Sequence, residues 1–91
     1  MKQDKNSNRS YNISSLRWAC RRGMLELDVL LQHFLEKAYV GLSQADQTLF
    51  IQLLECSDQE LFSWLIGQNR PSDQHLLRII DLVRHHARSR I

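Results

Sequence analysis

From residue 13 onward, apolar residues recur at helical spacing, and small polar residues break the pattern at intervals. Leu16, Ala19 and Cys20 stand at i, i+3 and i+4, which predicts a short helix capped by Ser14 or Ser15 and running to about Arg22. Residues 24–40 form a second pattern, with Leu27, Leu30, Leu31, Phe34, Leu35 and Ala38 on a broad apolar stripe that Gly41 ends. Ser43-Gln44-Ala45-Asp46 resembles a capping box with Asp46 in place of the preferred Glu. It opens a third helix whose inward face holds Leu49, Phe50, Leu53 and Leu54. Ser57-Asp58-Gln59-Glu60 is a full capping box for a fourth helix, with Leu61, Trp64 and Leu65 inward. Gly67 and Pro71 close that helix, and Ser72 caps a fifth that carries Leu76, Ile79, Ile80, Val83 and Ala87 on one face.

No stretch alternates apolar and polar residues long enough to predict a strand. The expected fold is all-α, a small compact five-helix bundle. A chain of 91 residues supports one domain with one modest core, so residues 13–91 are assigned to a single helical domain and the polar residues 1–12 to a flexible N-terminal tail. Trp64 is expected in the core, and Phe62 lies off the main stripe of its helix at an exposed position. Trp18 has two readings, an interface anchor or a half-buried ring closing the core, and its neighbours Ala19 and Cys20 favour the second.

Composition narrows the class. Apolar residues make up 43% and charged residues 24%, as in globular domains. No apolar run approaches the roughly 20 residues needed to cross a bilayer, and residues 1–12 hold no segment resembling a secretory signal. A cytoplasmic protein without membrane insertion is expected, a monomer when free. Cys20 and Cys56 have no second pair of cysteines, so zinc and C-x-x-C chemistry lack their ligands; two buried or half-buried free thiols are expected.

The net charge of +2 conceals a segregated distribution. Residues 1–22 carry Lys2, Lys5, Arg9, Arg17, Arg21 and Arg22 against Asp4 alone. Residues 23–69 carry only Lys37 against Glu26, Asp28, Glu36, Asp46, Glu55, Asp58 and Glu60. Residues 70–91 turn basic again through Arg70, Arg78, Arg84, Arg88 and Arg90 against Asp73 and Asp81. Arginine predominates among the cations, and its planar fork suits carboxylate or phosphate partners.

Most enzymatic chemistry lacks its residues. Gly23, Gly41 and Gly67 each stand alone, so no glycine-rich phosphate loop is present. His33, His75, His85 and His86 have no recognisable nucleophile or metal partner, and adjacent His85 and His86 project about 100° apart on a helix. All four are expected as solvated surface residues. A nucleic-acid-binding module is suggested by Arg9, Tyr11, Arg17, Trp18, Arg21 and Arg22, but the acidic middle opposes a phosphate backbone and no recognition motif accompanies them.

One stretch concentrates the remaining chemistry: Trp18-Ala19-Cys20-Arg21-Arg22-Gly23-Met24-Leu25-Glu26-Leu27-Asp28. Two readings fit it. As helix punctuation, Arg21 and Arg22 complement the C-terminal dipole of the first helix, Gly23 sits at C′, and Glu26 and Asp28 favour the start of the second helix, each contributing about 0.3–1 kcal/mol. An Arg22–Glu26 pair would be a modest surface interaction. As a binding epitope, the same charges form an exposed partner-recognition patch.

The segment contains Arg22-Gly23-Met24-Leu25-Glu26, an R-G-x-x-E motif. A second block, Phe50-Ile51-Gln52-Leu53-Leu54-Glu55 followed by Asp58-Gln59-Glu60-Leu61-Phe62-Ser63-Trp64-Leu65, fits F-x-x-L-L-E…D-x-x-L-F-x-W-L. With Pro71, this chain resembles the succinate dehydrogenase assembly factor family, the FAD assembly or flavinylation factors also called the SdhE or YgfY family, over residues 16–83. The first block is the specific one, because the second is largely core and capping. The resemblance implies an accessory protein rather than an enzyme. Such a protein binds the flavoprotein subunit of succinate dehydrogenase or fumarate reductase and promotes covalent attachment of FAD to a histidine of that partner. The chain itself then holds no stable cofactor, and FAD belongs to the partner. Trp18, Arg21, Arg22, Gly23, Met24, Glu26 and Asp28 are the implied partner-binding residues. The family has also been labelled the antitoxin half of a toxin and antitoxin pair, which makes a protein-contact regulator of a membrane-associated toxin the alternative function.

Overall fold

A computed structural model describes residues 13–89. The expected tail at residues 1–12 lies outside the described residues. Five α-helices follow one another among the described residues: α1 (Ile13–Ala19), α2 (Leu25–Lys37), α3 (Gln44–Leu53), α4 (Asp58–Leu65) and α5 (Gln74–Ser89), with a 3₁₀ turn at Tyr39–Gly41 between α2 and α3. No strand occurs among the described residues, and the fold is all-α as the periodicity predicts.

The amphipathic pattern explains the packing. α5 lies against α2, α3 and α4, while α1 packs on α2. Ile79, Ile80 and Val83 of α5 are fully buried against Leu27, Leu31, Phe34 and Leu35 of α2, Phe50 and Leu53 of α3, and Leu61 and Leu65 of α4. Each such side chain contributes about 1.5–3 kcal/mol by leaving water. Phe34 and Phe50 approach with ring centroids 5.2 Å apart, and Tyr39 adds its ring 5.7 Å from Phe50. Trp64 is only half-buried, packed at the margin of this cluster, and Phe62 is half-buried as well rather than exposed.

Local chemistry sets most helix ends where the sequence predicts; α2 stops at Lys37 rather than near Val40, the chain continuing as the 3₁₀ turn that contains Gly41, and three further revisions follow. The Ser57 capping box is complete, the Ser57 hydroxyl accepting from the Glu60 amide at 3.1 Å and the Glu60 carboxylate from the Ser57 amide at 3.2 Å. α4 ends in a paired turn, Gly67 N–H to the Trp64 carbonyl and Gln68 N–H to the Ser63 carbonyl, which requires the left-handed φ of +87° that Gly67 adopts. The first revision concerns Ser43. Its hydroxyl caps α3 through the Asp46 amide at 3.1 Å, but the Asp46 carboxylate takes no bond from the Ser43 amide and so does not complete a box. It is buried instead, receiving two guanidinium bonds from Arg78 of α5 at 3.1 and 3.0 Å. The second is at α5, where Asp73 rather than Ser72 is the cap, accepting from the amides of His75 at 2.7 Å and Leu76 at 3.3 Å. The third is α1, which stops at Ala19 instead of Arg22, with Ser14 and Ser15 inside it.

Candidate functional site

The early stop of α1 opens a five-residue connection from Cys20 to Met24, and this connection carries most of the implied site. Arg21 and Arg22 are therefore loop residues, and Gly23 stands beyond C′. The turn is braced by two side chains of opposite charge. Asp28, in the first turn of α2, points back toward the loop and accepts from the amides of Arg22 at 2.6 Å and Gly23 at 3.3 Å. Both amides precede the helix, so Asp28 ties the connection to α2 rather than capping it, and Met24, the N-cap residue in an extended conformation, makes no side-chain cap bond.

Arg22 points the other way, into the molecule. Its Nε donates to the Asp58 carboxylate at 2.7 Å; its Nη1 donates to the carbonyls of Ala19 at 3.0 Å and Leu54 at 2.7 Å; its Nη2 donates to the Cys56 carbonyl at 2.6 Å. One guanidinium thus satisfies carbonyls left over at the ends of α1 and α3 and meets the first residue of α4. Its side chain is only 14% exposed. The Arg22–Glu26 surface pair expected from the sequence does not form, because Asp58 takes the guanidinium.

What remains on the outside is a compact set. Gly23 has φ +86°, and a Cβ added there would meet nothing within 4 Å, so the turn is open to approach from solvent. Glu26 is exposed on α2 and has no ion-pair partner among the described residues. Met24 is half-buried with its side chain on the core. Trp18 is 70% exposed, which corrects the expected half-burial. α1 turns Leu16 and Cys20 inward, and Trp18 falls between them on the opposite face. The Arg21 guanidinium carbon lies 5.3 Å from the Trp18 ring centroid, a cation–π contact. Beside them, Ser14, Arg17, Trp18, Arg21 and Gln32 line a shallow depression between α1 and α2.

Sequence reasoning missed two members of this surface. Leu25 is 78% exposed and Val29 50% exposed, one turn apart on α2. Their i, i+4 spacing off the inward stripe was the available signal. Arg17 borders the surface through a two-bond exposed pair with Glu36 at 2.6 and 3.3 Å, which holds the Glu36 carboxyl below its usual range. Of the basic and aromatic residues considered for nucleic acid, Arg17 and Arg22 are thus engaged internally, and Arg9 and Tyr11 lie outside the described residues.

Titratable groups elsewhere revise the expected surface histidines. His75 and His85 are exposed, but His33 and His86 are half-buried with ring centroids 6.5 Å apart, and the His86 and Phe34 rings stand nearly perpendicular with centroids 5.6 Å apart. No group of three or more metal-binding side chains occurs among the described residues. Both cysteines are free thiols. Burial pushes Cys20 up to about 12, against a smaller opposing pull from Arg22, and raises Cys56 as well. No helix among the described residues is long and apolar enough to cross a membrane.

Fold and surface together define a small all-helical protein whose most heavily braced feature is a solvent-open turn rimmed by exposed aromatic, aliphatic and charged side chains. The family model described as the flavinator of succinate dehydrogenase matches residues 14–87, and the chain belongs to that family. An FAD assembly factor SdhE of Shewanella oneidensis is 54% identical over 76 residues, covering 84% of this chain and 93% of the relative. A second, from Photorhabdus laumondii, is 44% identical over 79 residues, covering 87% and 90%. Among solved structures, the solution structure of a UPF0350 protein superposes with a TM-score of 0.69 at 36% identity, covering 99% of this chain and 89% of that one.

Proposed function

We propose that this chain docks the surface of residues 18–29 on the flavoprotein subunit of succinate dehydrogenase, or of the related fumarate reductase, and so promotes covalent attachment of FAD to that subunit. One observation carries the reading: a turn braced on both sides by Asp28 and Arg22 leaves Gly23 and Glu26 facing solvent beside exposed Trp18, Arg21, Leu25 and Val29. Aromatic and arginine side chains ringed by aliphatic ones are the usual anchors of a protein interface.

The seven implied residues then divide by task. Trp18, Arg21 and Glu26 meet the partner, and Gly23 lets the two backbones approach closely because it has no side chain. Arg22, Asp28 and Met24 hold the turn in shape. Preformed geometry lowers the ordering cost of association. On the partner, the gain is one of positioning, since holding reactants in near-attack geometry removes much of the entropic part of a barrier. The chain acts as an accessory protein and a free monomer in the cytoplasm.

In this reading the chain holds no FAD of its own. A dinucleotide pyrophosphate is held by backbone amides of closely spaced glycines at a helix start, whereas Gly23, Gly41 and Gly67 occupy three separate turns. The proposal accordingly assigns the flavin to the partner.

The test mixes the purified chain with the apo flavoprotein subunit and FAD, and reads covalent flavin by in-gel fluorescence. The expected result is faster flavinylation than in a chain-free control, lost with Glu26→Ala. Equal rates with and without the chain overturn the proposal.

A further inference from the structure

We infer that Asp58, outside the R-G-x-x-E motif and on a different helix, is a positioning residue for the docking turn; the inference rests on the docking reading above and extends it. Arg22 reaches across the molecule to the α3–α4 junction, where its neutral acceptors are the carbonyls of Leu54 and Cys56 and its charged acceptor is the Asp58 carboxylate at 2.7 Å. Asp58 is the one carboxylate bonded to that guanidinium among the described residues. The two side chains differ in exposure, 14% for Arg22 and 42% for Asp58, so the cation is the member drawn out of water and the carboxylate faces it from the rim.

That asymmetry sets the consequence of losing the charge. A guanidinium held at low exposure needs a counter-charge to stay there, and without one it gains by turning outward to water. Arg22 is immediately followed by Gly23, whose left-handed φ leaves the turn without side-chain constraint of its own. Its amide is tied only by the longer bond to Asp28, at 3.3 Å. Release of Arg22 therefore loosens the segment the partner would meet, while the core beneath it stays packed. Asp58 acts on docking through Arg22 and touches no partner atom.

Asp58→Asn keeps the size and one acceptor oxygen while removing the charge. It is expected to weaken affinity for the apo flavoprotein subunit and slow covalent flavin formation, each by about tenfold, and to speed exchange of the Gly23 amide in the free chain. Glu60→Ala controls for fraying of α4, because it breaks the capping box at the same helix end without touching Arg22. It is expected to leave affinity and Gly23 exchange unchanged. Equal loss of affinity in Glu60→Ala and Asp58→Asn overturns the inference in favour of a structural role for the helix end. Full flavinylation by Asp58→Asn beside a defective Glu26→Ala overturns this inference alone. Full flavinylation by Glu26→Ala overturns the docking reading and this one with it.

Discussion

Replacing Arg22 with alanine strips one guanidinium from Asp58 and from the carbonyls of Ala19, Leu54 and Cys56. Hydrogen bonds from a charged donor contribute about 1.5–3 kcal/mol each, but the four share one group, and carbonyls at helix ends recruit water once exposed. Orphaning a buried charge costs about 3–5 kcal/mol, but Asp58, left behind, is 42% exposed and regains water, so about 2–3 kcal/mol is the better figure for the whole change. A domain of this length is stable by roughly 5–13 kcal/mol, so the variant loses a large share of its margin. At about 4–8 °C per kcal/mol, the melting midpoint should fall by about 8–24 °C, read by far-UV circular dichroism and matched by urea titration. Glu26→Ala, by contrast, removes an exposed charge and should cost less than about 1 kcal/mol. Arg22→Lys should fall between the two, since one ammonium cannot replace the planar fork. A melting point for Arg22→Ala within about 4 °C of the parent protein would refute the bracing role, because the change would then cost no more than about 1 kcal/mol, the scale of an exposed charge.

Gly23→Arg should fold, at a cost of about 1–2 kcal/mol for an L-residue at φ +86°, because a Cβ there meets nothing within 4 Å, yet it should fail to bind the apo flavoprotein in a pull-down. Failure to fold at 25 °C would return Gly23 to a purely structural role. Iodoacetamide at about pH 8 should label Cys20 on the order of a thousandfold more slowly than the same thiol in urea, since burial pushes it up to about 12. The Arg78 guanidinium, bonded to Asp46, holds that carboxyl below its ordinary range, so the pair contributes its stability above the unfolded carboxylate value and loses it as pH falls through the lowered folded value. The midpoint gap between the parent protein and Asp46→Asn should therefore be widest near about pH 6 and close toward about pH 2.

What the sequence made legible and what it hid follow a physical boundary. Helix number, order and inward faces came from spacing alone: Leu27, Leu31, Phe34 and Leu35 on α2, or Ile79, Ile80 and Val83 on α5, declare themselves because burial repeats with the helical period. The Ser57 box was readable because both its halves lie within one turn. Arg22 was not. Its ring of acceptors is mostly main-chain carbonyl, which has no sequence signature, and its charged partner is on another helix. The same holds for Asp46, which looked like a capping residue until Arg78 of α5 claimed it. His33 and His86 were misplaced for a related cause, since helices α2 and α5 bring the two rings together only when docked. At Trp18 the neighbours misled: Cys20 and Leu16 go inward, and a position between them on a helix of seven residues goes out.

The R-G-x-x-E segment therefore divides between two roles, an arginine that turns in and a glycine and glutamate that face out. Amide hydrogen exchange of the chain, alone and saturated with the apo flavoprotein subunit, tests that division most directly. The expected result is new protection concentrated over residues 21–29, with the outer face of α5 around His85 unchanged. Protection centred on α5, with residues 21–29 exchanging as in the free chain, would contradict the account.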